Sequence, residues 1–289
     1  KEKFKPDFFL YENNKSASQA IKDQIATELG VDLMYINSAL VSAQNRQRLY
    51  WVGKRNEDGT YSKVNIEQPE DRGILLKDIL ESGDAWLDKS YAYTTRCQAA
   101  IPHDTFEKHR HTMVAEPVNV TADGKARTIR ATCYKDGIRN MVGNTIDRKT
   151  CVAEPVPGYA TPCEWDENGK PIKAISAADG KTYQVYEVKD GYITIKGKRY
   201  AIKLEDGYYI IRKLTVRECM RLQNVPEWYE FPVSDSQAYK MLGNGWTCRV
   251  IDHLIRGCMA TLSQPLTEKE PKRVLVKRIH RSQKKQRNG

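Results

Sequence analysis

Residues 42–52 read SAQNRQRLYWV, a polar stretch with two arginines followed at once by four apolar residues. In an extended chain successive side chains point to opposite faces, so we expect Gln44, Arg46 and Arg48 to share one face. Two guanidinium groups and an amide on one face suit a phosphate or the polar edge of a base. The alternative is a solvated strand edge, where arginine is common. The neighbouring sequence decides between these interpretations.

The first 56 residues alternate between strand and helix patterns. Residues 17–29 have helical spacing of apolar side chains, Ser16 or Ser18 is available as the N-cap, and Gly30 supplies a stop signal. Apolar or strand-forming runs on either side predict three strands, at residues 7–10, 32–41 and 49–52. This β-α-β-β order is typical of an open α/β sheet.

Residues 57–210 have a different pattern of strand-forming and turn-forming residues. Short runs of strand formers alternate with turn residues, and the one clear helical signal lies at residues 75–81. Asp-Gly pairs, which favour hairpin turns, begin at positions 58, 123, 136, 179, 190 and 206. We therefore predict a mostly β, loop-rich module inserted into the α/β domain.

The α/β pattern returns over residues 211–264. Thr215 and Glu218 form a capping box that predicts a helix through Gln223. A short helix is predicted from Ser234 or Asp235 to Leu242, followed by a break at Gly243-Asn244-Gly245. Residues 246–262 predict an amphipathic helix whose apolar side comprises Val250, Ile251, Leu254, Ile255, Cys258 and Met259.

Charge is concentrated in the last segment, residues 265–289. From Lys269 onward there are nine basic residues and one acid, so this tail carries +8 of the chain's +10. Such a tail can hold phosphates through counterion release, or it can be a disordered solubilising tail. The seven cysteines form no CxxC pair, and no apolar run is long enough to cross a membrane. We therefore expect reduced thiols, no membrane partner and a cytoplasmic protein, and the family resemblance described next implies that the cell is bacterial or a phage-infected host.

Four segments, taken in order, resemble motifs of the DNA cytosine-5 methyltransferases. Residues 9–14, with Glu12, resemble their Glu-Asn-Val motif, and residues 44–48 resemble their Gln-x-Arg-x-Arg motif. Residues 212–226 resemble the ninth motif, and Gly243-Asn244-Gly245 resembles the tenth. The approach to the arginine motif, residues 36–42, is especially similar to bacterial and phage members.

This resemblance implies a partial Rossmann-like methyltransferase sheet, of the α/β class, with an inserted and mostly β target-recognition domain. It also implies S-adenosylmethionine as the cofactor and double-stranded DNA as the partner. The family's cofactor motif and its Pro-Cys-Gln nucleophile lie upstream of Glu-Asn-Val, so we expect an N-terminal methyltransferase segment or subunit to supply them. Pro162-Cys163-Glu164 and Arg96-Cys97-Gln98 mimic the nucleophile motif from the wrong side of Glu12, and we interpret both as decoys.

The resemblance also implies roles for individual residues. Addition of a thiolate to cytosine C6 moves electron density onto N3 and O2, so we expect Glu12 to act as an acid at N3 and Arg48 to meet O2. Arg46 would support the nucleophile side or bind a backbone phosphate, and Gln44 would position the loop and contact DNA.

Cofactor and DNA contacts are predicted elsewhere in the chain. Asn244, Gly245 and Trp246 match positions that close over the cofactor, although many family members have serine where Gly245 stands. The insert would read the major groove. Its candidate DNA-binding residues are Lys125, Arg127, Arg130, Arg139 and Asn140.

Two other functions stay open at this point. A DNA-binding or regulatory protein without catalysis would also explain these motifs, because no nucleophile is visible. An RNA methyltransferase of the same fold ranks last, because the β-rich insert is long for that branch. His103, His109 and His111 lie near Cys97, but their spacing matches no zinc pattern and we expect no metal.

Overall fold

The computed structural model describes residues 1–119 and 159–261. The strands within this part are β1 (Phe8–Asn14), β2 (Met34–Asn37), β3 (Gln44–Asn45), β4 (Gln47–Arg55), β5 (Tyr61–Lys63), β6 (Ser90–Tyr91), β7 (Met113–Pro117), β8 (Thr161–Trp165), β9 (Pro171–Ile175), β10 (Thr182–Lys189), β11 (Tyr192–Ile195), β12 (Lys198–Ala201) and β13 (Gly207–Lys213). The α-helices are α1 (Gln19–Leu29), α2 (Pro102–Lys108), α3 (Val216–Leu222), α4 (Asp235–Asn244) and α5 (Cys248–Ala260). None of these helices is both long and apolar enough to span a bilayer.

The first sheet has the strand order β1-β4-β2, and β5 also pairs with β4. Because β1 and β2 both run antiparallel to β4, they are parallel to each other. Their carboxyl ends therefore lie at the same edge as the start of β4. Glu12 is paired with Tyr50, and Asn14 is paired with Arg48.

Helices cover both faces of this sheet, as expected for an α/β unit. Leu49 and Trp51 of β4 pack in a cluster with apolar residues of α1. Tyr50 and Val52, which alternate with them, pack in a cluster with α5. β4 is therefore buried on both sides, which explains its continuous apolar run.

The helix α1 follows its sequence signals closely. The Ser18 hydroxyl accepts a hydrogen bond from the Ile21 amide at 3.4 Å, and Gly30 ends the helix in the left-handed region, at φ 72°. The prediction for α5 was only partly correct. Val250 and Leu254 are buried against the sheet, whereas Ile255 and Met259 are 50% and 60% exposed.

Within residues 57–119 and 159–210, the second sheet confirms the mostly β character predicted for the insert. Its order is β12-β11-β10-β13-β7, with β9 paired to β10 and β8 paired to β9, and every pair is antiparallel. Asp190 and Gly191 both have positive φ at the β10–β11 turn, which fits the tight hairpin that Asp-Gly favours. The helix predicted at residues 75–81 is instead a 3-10 helix over Leu76–Ile79.

A buried ion cluster joins this sheet to the last helices. Arg212 of β13 is fully buried, and its Nε donates to Glu116 at 2.9 Å. Its two terminal nitrogens donate to the two carboxylate oxygens of Glu218, each at 2.9 Å. Glu218 also accepts from the Thr215 amide at 2.8 Å, so the capping box predicted from sequence ties α3 to the sheet.

Candidate active site

The carboxyl edge of the first sheet brings two of the predicted catalytic residues together. Arg48 Nε lies 2.8 Å from Glu12 Oε1, and the two side chains are 14% and 18% exposed. Their strand positions, together with Tyr50, place them on the face that α5 covers. In open α/β sheets ligands bind outside the carboxyl ends of strands, and this pair lies at that edge.

Tyr50 lies next to the pair on the same face of the sheet, because it is paired with Glu12 and follows Arg48 by two positions on β4. Its side chain is buried, and burial, followed by the effect of the Glu12 carboxylate, raises the pKa of Tyr50 to about 12. The phenol therefore stays neutral at physiological pH. The charged partner of Glu12 at this point of the sheet is therefore Arg48, and Tyr50 adds no charge.

Arg46 is held inside the protein, not at the surface. Its Nη1 donates to the Tyr93 carbonyl at 2.7 Å, and its Nη2 donates to the Gly245 carbonyl at 2.9 Å. Burial, followed by the charge of Arg48, lowers the pKa of Arg46 to about 10, so the guanidinium is still protonated at neutral pH. The phosphate contact considered for Arg46 does not fit this burial. Arg46 instead links the arginine motif to the predicted cofactor loop.

Gln44 also lies in the interior, and the DNA contact predicted for it is wrong for the same reason. Its side chain is fully buried in the protein. Nε2 donates to the Leu222 carbonyl at 2.7 Å and to Gln223 Oε1 at 3.2 Å, while Oε1 accepts from the Tyr93 amide at 3.2 Å. These bonds match the positioning role that the sequence predicted for Gln44.

The predicted cofactor residues form the connection between α4 and α5. Asn244 is the last residue of α4, Gly245 follows it, and Trp246 is 47% exposed. A β-carbon on Gly245 would lie 3.1 Å from the Met241 carbonyl oxygen, a contact that a small backbone shift could relieve. Gly243 is more constrained, because a β-carbon there would lie 2.4 Å from the Thr95 nitrogen.

The two cysteines interpreted as decoys have different surroundings. Cys163 is exposed on β8, in the second sheet. Cys97 lies closer to the site: its Sγ is 3.4 Å from His111 Nδ1 and accepts a hydrogen bond from the Thr94 amide. Burial raises the pKa of the Cys97 thiol, which opposes formation of a nucleophilic thiolate.

The histidines near Cys97 were considered as metal ligands. His103 lies 3.6 Å from Asp104, and in residues 1–119 and 159–261 no three potential ligands are grouped for a metal.

The proposed base-reading residues Lys125, Arg127, Arg130, Arg139 and Asn140 lie outside the described residues.

The structure also brings two residues, Gln223 and Thr247, into the site, and sequence reasoning assigned no role to either. Both are 1% exposed polar residues. The sequence signal for Gln223 was a glutamine in the ninth-motif segment, directly after α3.

Comparison with known proteins identifies the family. Residues 2–260 match the model of the C-5 cytosine-specific DNA methylases. The chain belongs to this family. Together with the strand arrangement described above, this confirms the α/β methyltransferase fold with its β-rich insert.

Among individual proteins, the chain is 35% identical to the Type II methyltransferase M.SsoII of Shigella sonnei over 100 residues, which cover 31% of this chain and 26% of that protein. It is 28% identical to M.HpaII of Haemophilus parainfluenzae over 251 residues, covering 83% of this chain and 56% of that protein. The match thus spans about half the length of M.HpaII. A solved structure of the Entamoeba histolytica methyltransferase EhMeth aligns with 90% of this chain and 64% of its own at 13% identity, with a TM-score of 0.41.

Proposed function

We propose that the protein is the base-handling part of a DNA cytosine-5 methyltransferase. It would help transfer a methyl group from S-adenosylmethionine to C5 of a cytosine flipped out of a specific duplex sequence. The observation that carries the proposal is the Glu12–Arg48 pair at the carboxyl edge of the sheet. Arg46 connects this pair's strand to Gly245, in the loop that matches the family's cofactor motif.

Glu12 and Arg48 would stabilise the negative charge that develops on the base during the reaction. When a thiolate adds to C6, electron density moves onto N3 and O2. Glu12 would hold a proton at N3, and Arg48 would place its cation at O2. Both side chains are mostly shielded from solvent, so charges there interact more strongly than in water. Flipping the base out of the duplex costs about a few kcal/mol, which contacts in this pocket would offset.

The start of α5 fits the carboxylate of the cofactor. The Thr247 hydroxyl does not cap this helix, because it donates to Gln223 at 3.0 Å and accepts from Ser38 at 2.9 Å. The Cys248 amide donates to the Gln223 carbonyl, so it is the partial positive charge at the start of the helix that would favour an anion here. S-adenosylmethionine would supply the activated methyl group. Asn244, Gly245 and Trp246 would hold it beside these amides.

A second segment would supply the thiolate. β1 pairs only with β4 among the described strands, and its sequence FFLYENN contains neither lysine nor proline, which commonly protect an exposed edge. We propose that the segment carrying Pro-Cys-Gln extends the sheet at β1. Glu12 lies on β1, so an added strand would lie directly beside the base site.

Helix α5 offers a second contact on that side. On its β2 side, His253 lies 2.8 Å from the Glu67 carbonyl, and Gly257 packs on Ile66. Its other side carries Ile255 and Met259, which are exposed, and it borders an apolar groove of about 540 Å³. Ile251, which lines this groove, packs in the same cluster as Phe8 and Leu10 of β1. A strand followed by a helix would cover both the sheet edge and the groove.

Methyl transfer from labelled S-adenosylmethionine to duplex DNA tests the proposal. We expect no transfer by this chain alone, and transfer when it is combined with the segment that carries Pro-Cys-Gln. DNA retention without label incorporation by the combined protein would instead support the non-catalytic DNA-binding function. Label in RNA but not in DNA would favour the RNA methyltransferase.

A further inference from the structure

The loop between α4 and α5 is held at both ends by one buried side chain. Gln223 Nε2 donates to the Leu242 carbonyl at 2.9 Å, just before the loop. Gln223 Oε1 accepts from the Thr247 hydroxyl at 3.0 Å, just after it. The Gln223 carbonyl also accepts from the Cys248 amide at 2.9 Å. One residue at the end of α3 therefore determines where the loop begins and where it ends.

The same amide is bonded to the arginine motif. Gln44 Nε2 donates to Gln223 Oε1 at 3.2 Å, and Arg46 donates to the Gly245 carbonyl in the middle of the loop. Gln223 is 1% exposed, so water cannot readily replace these bonds. The strand that leads to Arg48 and the loop therefore share one buried hydrogen-bond network.

We propose that Gln223 is a positioning residue that sets the loop of Asn244, Gly245 and Trp246 relative to the base site. This rests on the proposed function, in which the loop meets the cofactor and Arg48 meets the base. Gln223 itself touches neither. Without its amide, the Leu242 carbonyl and the Thr247 hydroxyl lose their shared partner, and the loop loses its link through Gln223 to Gln44. The bond from Arg46 to the Gly245 carbonyl then remains as the link between the loop and the arginine motif.

The first test uses this chain without cofactor or DNA. Gln223→Met keeps a similar side-chain length and removes all three side-chain bonds. We expect amide hydrogen exchange to rise about tenfold or more in residues 243–248, and to stay unchanged in β4. The matched control is Tyr239→Phe, which removes one hydrogen bond from α4 to the Leu214 carbonyl and leaves the loop bonds intact.

The control separates positioning from general stability. If Tyr239→Phe accelerates exchange in residues 243–248 as much as Gln223→Met does, the proposal is wrong. The proposal also fails if Gln223→Met leaves exchange there unchanged. Should Gln223→Met fail to fold, Thr247→Val removes the hydroxyl that donates to Gln223 and accepts from Ser38, leaves the bond from Gln223 to the Leu242 carbonyl in place, and should still accelerate exchange in the loop. An unchanged loop in Thr247→Val would then overturn the proposal.

The second test uses the protein combined with its complementary segment. Gln223→Met should raise the dissociation constant for S-adenosylmethionine about tenfold or more, with kcat at saturating cofactor within about threefold of the wild type. Tyr239→Phe should change neither. An equal loss in kcat and cofactor affinity for both variants would indicate a merely structural role. If the wild type binds no S-adenosylmethionine, the proposed function fails, while the exchange experiment still decides the role of Gln223.

Discussion

Replacing Glu12 by glutamine should separate catalysis from stability. The change keeps the shape of the side chain and one acceptor oxygen for Arg48, but it removes the negative charge of the ion pair and the ability of the carboxyl group to take up a proton and hold it at N3. The ion pair is 2.8 Å long and its two side chains are less than one-fifth exposed. Exchanging it for a neutral hydrogen bond should destabilise the fold by about 1 kcal/mol, a shift in Tm of about 2–4 °C. With an ordinary domain stability, less than about 1% of the protein would be unfolded.

The rate should fall far more than that. Loss of a general acid typically slows a reaction by about 10²–10⁴-fold, so we expect methyl transfer to fall into this range in a single-turnover assay with labelled S-adenosylmethionine. The matched control is Asp7→Asn, because Asp7 forms a 2.7 Å ion pair with Arg55 at the opposite end of the same two strands. Asp7→Asn should leave the rate within about twofold. A rate loss below about tenfold in Glu12→Gln, or equal losses in both variants, would refute the acid role.

Three further outcomes are expected. Arg212→Met leaves two buried carboxylates without their partner and should lower the free energy of unfolding by about 3–5 kcal/mol in urea titrations; a loss below about 1 kcal/mol would contradict the role of the cluster. Cys163→Ala should leave methyl transfer unchanged, and iodoacetamide at pH 8 should label the exposed Cys163 before Cys97, whose pKa burial raises. Ile255→Asp should abolish binding of the complementary segment, measured by sedimentation, whereas Ile21→Asp, a similarly exposed apolar position on α1, should not.

Local features of the fold were predictable where neighbouring residues determine them. The bounds of α1 follow from Ser18 and Gly30, which satisfy the first amides and the last carbonyls of the helix. The alternation of Gln44, Arg46 and Arg48 also holds, because Asn45 and Gln47 between them are exposed. These features depend only on backbone geometry within a few residues.

The long-range hydrogen-bond partners of these side chains could not be predicted in the same way. The partners of Arg46 are carbonyls 47 and 199 residues further along the chain, and a carbonyl has no sequence signature. The two apolar stripes of α5 pose the same problem. Periodicity counts Val250 and Ile255 equally, although one is buried against the sheet and the other is exposed. Only the position of residues 66–67 against α5 distinguishes the two sides.

The two arginines of the motif therefore make different contacts, although they lie only two positions apart. Arg48 is on a regular strand, so its side chain follows the sheet face and meets Glu12 on the neighbouring strand. Arg46 precedes that strand, and the two terminal nitrogens of its planar guanidinium donate to two carbonyls, those of Tyr93 and Gly245. The proposed function would then use the two arginines for separate reasons: Arg48 for a charge beside the proposed base site, and Arg46 for the hydrogen bonds that hold the neighbouring loop. A sequence comparison that treats the two positions as one cationic patch would miss this division.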